Sequence, residues 1–162
     1  MKLSNIIKKV FIFSFVFFLA ACSVDSESPV ITVEKLLLND SEENYAEQSA
    51  QIPTLNLGDK VRVFLTLDGN GSDLKSFQVT KDENIETGLV YEEDEFSSDR
   101  NFTDPEKGQF RFINGVTNSH LTVNATVTEL DKDGGAKLCF YLSSKSKSGS
   151  AQKVIHLKIA KP

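Results

Sequence analysis

Tryptophan is missing from this sequence and tyrosine occurs only three times. That weighs against a sugar-stacking platform, which relies on exposed aromatic faces. Two cysteines, Cys22 and Cys139, are too few for a thiolate metal cluster. Two histidines, His120 and His156, stand far apart in the chain, and no G-x-S-x-G, Walker or H-E-x-x-H motif accompanies them. An enzyme is therefore not expected, and neither a cofactor nor a metal is. Basic residues are also scarce, with 18 Lys+Arg against 23 Asp+Glu and a net charge of −5. This excludes nucleic acid as a partner, because phosphates require Lys/Arg patches, and it disfavours docking flat on anionic headgroups. The longest apolar run, Val10 to Ala21, is about a dozen residues, short of the roughly 20 that a permanent transmembrane helix requires.

What is present begins with that run. Lys2, Lys8 and Lys9 precede it, only Ser14 interrupts it, and it ends in Leu19-Ala20-Ala21-Cys22. Positive start, apolar stretch and small residues before a cut describe a signal peptide over residues 1–21. The final tetrapeptide resembles the lipobox of bacterial lipoproteins at every position. The resemblance implies cleavage before Cys22 and acylation of its thiol. One acyl chain binds reversibly and two or three hold firmly, so the implied partner is a membrane, held through lipid on Cys22. Ser23 in place of Asp implies transfer to the outer membrane. Asp25 and Glu27 resemble the acidic cluster by which Bacteroidetes-type lipoproteins reach the outer face. With Cys22 acylated, Cys139 has no disulfide partner, and its neighbours Leu138, Phe140 and Tyr141 predict a buried, inert thiol. Removing residues 1–21 lowers Lys+Arg from 18 to 15 and the net charge from −5 to −8.

Residues 22–28 read as a polar tether and residues 29–162 as one domain. Val30 to Val33 is β-branched and predicts a first strand. Val61, Val63, Leu65 and Leu67 alternate with polar residues, as do Leu121, Val123, Ala125 and Val127, each marking a sheet wet on one side. Further strands are expected at Leu74 to Thr80, Gly88 to Tyr91, Phe110 to Ile113, Ala136 to Leu142 and Val154 to Ile159. Asp68 to Asp73 reads as a hairpin turn, and Asn114-Gly115 as another turn. Its Asp68, Asn70 and Ser72 imitate a calcium loop, but Asp73 and Val79 stand where Gly and Glu are required. Seven to eight short strands without helical periodicity predict an all-β, antiparallel immunoglobulin-like sandwich. Leu138 to Leu142 followed by Val154 to Ile159 resembles the closing strand pair of bacterial Ig-like and cadherin-like repeats. Asp68 to Phe77 resembles the turn after their second strand. Calcium-binding relatives carry Asp and Asn in the last loop, where this chain has Ser143, Ser144, Ser146 and Ser148, so inter-repeat calcium is not implied. The expected core includes Val63, Leu65, Phe77, Val123, Phe140 and Leu157.

Asp82 to Glu106 stands out, with ten acids against one base, Arg100. Two readings stand: a solvated loop, or a recognition loop for a cationic target or divalent ion. In the second reading Glu92, Glu93, Asp94 and Glu95 supply charge, and Phe96 and Phe102 anchor the partner. The function expected is a non-enzymatic, lipid-anchored envelope module binding an envelope or surface protein. The alternative is a carbohydrate-binding surface lipoprotein of a glycan-uptake system, with Phe96, Phe102 and Tyr91 as its aromatics.

Overall fold

The computed structural model describes residues 27–39 and 41–162. The expected signal peptide, the lipobox and Cys22 lie outside the described residues. Eight strands form two four-stranded antiparallel sheets: β1 (Val30–Leu38), β2 (Lys60–Asp68), β3 (Leu74–Lys81), β4 (Ile85–Tyr91), β5 (Gln109–Arg111), β6 (Asn118–Val127), β7 (Gly135–Ser144) and β8 (Ser150–Lys158). Their orders are β1-β2-β6-β4 and β5-β3-β7-β8. With β5 set aside, the seven others reproduce the A-B-E-D and C-F-G sheets of the constant-type immunoglobulin sandwich. The all-β sandwich expected from alternation is the fold observed. β5 is an extra strand, inserted between the fourth and fifth strands of that plan and paired to the outer side of β3.

Alternation places one apolar face of each sheet against the other. Val63 pairs with Val123 and Leu65 with Leu121 across β2 and β6. Val79 pairs with Phe140 across β3 and β7. All six expected core residues are buried, and the Phe77 and Phe140 rings stack with centroids 6.2 Å apart. The first strand is longer than its β-branched start suggests. Ile31 and Leu36 both face inward, an odd spacing that simple alternation forbids. A bulge between Val33 and Lys35 absorbs one residue and restores the phase.

Two local expectations are corrected. Asp68 to Asp73 is not a hairpin turn, because β2 and β3 belong to different sheets. The segment is an arch across the end of the sandwich. Asn70 (φ 47°) and Gly71 (φ 81°) take left-handed conformations there, and the Asp68 carboxylate accepts from the Asn70 amide at 2.8 Å. The Asp73 carboxylate accepts from the Gly115 amide (3.1 Å) and from Lys145 Nζ (2.8 Å), joining three connections at this pole. Cys139, expected to be buried, is only partly so, since it alternates with the inward-facing Leu138 and Phe140 and points out of the sheet.

The chain enters at the same pole. Ser28 accepts from Asn70 Nδ2 through its carbonyl and donates its hydroxyl to Ser148. The opposite pole holds the β3–β4 turn, the β6–β7 loop and the end of β8. One flank, between β1 and β8, is sealed where Leu55 bridges Ile159. The other lies between β4 and β5, and residues 92–108 cross it.

Candidate functional site

The crossing begins as a 3₁₀ turn at Glu93–Glu95. Ser97 then donates to the Arg111 carbonyl (2.8 Å) and Ile113 to the Glu95 carbonyl (3.0 Å), so this stretch runs beside the end of β5 as a short added edge. Phe96 bridges Phe112 at its centre. Asp99 makes the next reversal, its carboxylate accepting from the Asn101 amide at 2.9 Å. A second 3₁₀ turn, Pro105–Lys107, follows, capped by the Asp104 side chain. It ends at Gly108 (φ 65°), where an added Cβ would stand 2.7 Å from the Val79 carbonyl oxygen. Only glycine satisfies both the left-handed backbone and that approach.

The residues singled out from sequence divide into three groups. Glu92, Glu93 and Asp94 are exposed and form the acidic rim. Glu95 turns inward, where its carboxylate accepts the hydroxyl of the buried Ser119. It braces the insertion against β6 and does not belong to the free acidic face. Phe96 is only 5% exposed and cannot anchor a partner. Its ring lies 5.4 Å from Tyr91, 5.2 Å from Phe110 and 4.6 Å from Phe112, centroid to centroid. The opening between the sheets needs an apolar plug, and Phe96 meets Phe110 of β5 and Phe112 just beyond it to provide it. Phe102 does stand out, 53% exposed, with the Arg111 guanidinium 5.3 Å from its ring centroid.

Beside this plug opens a pocket of ≈ 490 Å³. Tyr91 and Phe96 form its aromatic side, and Glu93, Arg100, Asp104 and Glu106 supply its charges. The hydrogen bond from Lys107 (2.6 Å) holds the Asp104 carboxyl below the ordinary carboxylate range and raises the Lys107 ammonium in turn. The Thr103 hydroxyl, buried beneath, accepts from the Arg111 amide at 3.2 Å. Such a site can hold a polar, charged group against an aromatic wall. Sequence reasoning missed Arg100, Asp104 and Glu106 as a group with Tyr91. The one available signal was the lone base inside the acidic run.

His120 and His156 are both exposed, and His120 Nδ1 lies 3.1 Å from Thr66 Oγ1. Among the described residues no three His, Cys, Asp or Glu side chains are set to hold one metal ion.

The family model described as Domain of unknown function (DUF5035) matches residues 22–159. The chain belongs to that family. No curated protein matches it. Among solved structures, this DUF5035 chain is similar to ACE19, the collagen-binding subdomain of the Enterococcus faecalis surface protein ACE. Identity is 14% over 63% of this chain and 88% of that one, with a TM-score of 0.35. At that overlap the likeness says nothing of what the present chain binds.

Proposed function

We propose that this DUF5035 protein is a non-catalytic, lipid-anchored binding module of the bacterial cell envelope, and that its insertion pocket receives a protein partner. The observation that carries the reading is the construction of the insertion. Phe96 fastens a loop-borne pocket to the rigid sandwich, Arg100 and the carboxylates of Glu93 and Glu106 line that pocket, and Phe102 stands exposed on the same insertion. A recognition surface on a rigid support has little ordering left to do on binding. Aromatic and arginine side chains are also the residues that dominate protein–protein contacts.

Anchoring is supported by one further fact. The family match opens at Cys22, the residue expected to carry lipid. The outer membrane, with display on its outer face, is the proposed location. The test is capture of envelope proteins by the wild type and by a Phe102→Ala/Arg100→Ala variant. Loss of one captured protein with an unchanged melting temperature supports the reading. Undiminished capture, or binding on a glycan array instead, refutes it.

A further inference from the structure

In an Asn-Gly pair the backbone nitrogen of the glycine can attack the side-chain amide before it, because no Cβ stands in the way. The sequence has two such pairs, Asn70-Gly71 and Asn114-Gly115. Both lie at the pole where the chain enters, and the fold surrounds them differently.

Asn114 and Gly115 form an exposed turn in the β5–β6 connection. Gly115 has a left-handed φ of 92° and open space on the side where a Cβ would stand. Two side chains from other connections reach this turn. The Asp73 carboxylate, at the end of the β2–β3 arch, accepts from the Gly115 amide at 3.1 Å. Lys145, just past β7, donates from Nζ to Asn114 Oδ1 at 2.7 Å and to the same Asp73 oxygen at 2.8 Å. Backbone bonds hold the three connections together. The Lys145 amide donates to the Asp73 carbonyl (2.9 Å), and the Leu74 amide to the Val116 carbonyl (2.7 Å). Lys145 also keeps the Asp73 carboxyl below its usual range, so it carries no proton at neutral pH.

Attack of an amide nitrogen on an amide carbon needs a base for the N–H proton and a positive group at the oxygen that gathers charge. A base works from about 2.6–3.2 Å of the atom it deprotonates, and an oxyanion donor from about 2.7–3.1 Å. Asp73 and Lys145 stand at those distances. Asn70-Gly71 is built otherwise. Asn70 Nδ2 is tied to the Ser28 carbonyl at 2.7 Å. Among the described residues no carboxylate accepts from the Gly71 amide and no cation reaches Asn70 Oδ1.

We propose that Asn114-Gly115 is a self-modifying site, where Asp73 and Lys145 promote closure of a succinimide that water then opens to aspartate and isoaspartate. The Gly115 nitrogen bonds to Asn114 Cγ while Asp73 takes its proton. Lys145 stabilises the negative oxygen of the intermediate. The Cγ–Nδ2 bond then breaks, and the amine departs as ammonia with the proton that Asp73 received. Water opening the ring at Cγ leaves aspartate. Opening at the Asn114 backbone carbonyl leaves isoaspartate, which adds a carbon to the main chain. Either product sets a second carboxylate beside Lys145, at the junction of the three connections.

The test is incubation of the full chain in detergent at neutral pH, followed by tryptic digestion. Trypsin separates the two pairs into peptides 63–75 and 112–132. Mass spectrometry counts the amide converted to acid, and labelling by an isoaspartyl methyltransferase counts the isoaspartate. Asn114 should convert about tenfold faster than Asn70. Lys145→Gln and Asp73→Asn should each remove that advantage. In urea the wild-type Asn114 should slow to the rate of the variants, because neither helping group is then in place. Equal native rates at Asn70 and Asn114, or an unchanged rate in both variants, would overturn the proposal. Faster conversion of Asn114 in urea or in either variant would also overturn it, since the contacts would then shield the turn. So would loss of ammonia with Lys145 joined to Asn114 in one cross-linked peptide, which would make the lysine the nucleophile.

Discussion

Truncation of Phe96 tests whether the insertion is part of the fold. Phe96 is 5% exposed and meets three rings within 5.4 Å. Deleting a buried Phe side chain to Ala typically costs about 3–5 kcal/mol, the lost transfer energy plus a cavity term. Three aromatic neighbours place Phe96→Ala towards the upper part of that range, since such pairs add about 0.5–1.5 kcal/mol each beyond area burial. A domain of ordinary stability has about 5–15 kcal/mol in all. The variant should therefore lose about a quarter of it or more. Urea unfolding followed by tyrosine fluorescence and by far-ultraviolet circular dichroism measures this directly. The midpoint should fall with the slope unchanged. Phe102→Ala serves as the comparison. That ring is half exposed, and losing it with its Arg111 contact should cost no more than about 1 kcal/mol. If Phe96→Ala also costs less than about 1 kcal/mol, the insertion is not fastened to the core and the pocket has no rigid side.

Other outcomes follow from single features. Gly108→Ala should destabilise by about 1–3 kcal/mol, from the left-handed backbone and the clash with the Val79 carbonyl, and chemical denaturation would register it. Phe140→Ala should cost about 3–5 kcal/mol in the same assay, being fully buried at the centre of the sandwich. The Asp73 carboxyl is held below its ordinary value chiefly by the Lys145 hydrogen bond. Its contribution is fully present above the unfolded pKa of about 3.9 and is lost as pH falls through the lower folded value. The melting-temperature difference between wild type and Asp73→Asn should therefore shrink on acidification below about pH 4. Labelling with a palmitate analogue should mark the wild type and not Cys22→Ser. A labelled variant would contradict lipid anchoring at that residue.

The sandwich was legible because alternation is local. Val61 to Leu67 and Leu121 to Val127 declare an inward face without help from any other segment. The bulge in β1 was not legible, since Ile31 and Leu36 fall out of phase until an extra residue is placed between them. Sheet membership was hidden too. A turn-forming stretch such as Asp68 to Asp73 has the same composition whether it joins neighbours in one sheet or arches between two. In the candidate site, charge was readable and burial was not. Glu92, Glu93 and Asp94 are exposed as an acidic run suggests, yet Glu95 turns inward to Ser119, a residue distant in sequence. Phe96 and Phe102 look alike in the sequence. Only the gap between β4 and β5, a property of the assembled sheets, sends one ring inward and leaves the other outside.

The central claim is that the insertion carries the protein-binding surface. Its most direct test is photo-crosslinking in growing cells, with benzoylphenylalanine placed in turn at residues 102, 90 and 141. Phe102 lies on the insertion, and Val90 and Tyr141 are exposed apolar residues elsewhere, at 61% and 38%. The account predicts one discrete protein adduct from position 102 and none from the other two. Adducts of equal yield from all three positions, or from positions 90 and 141 alone, would contradict it.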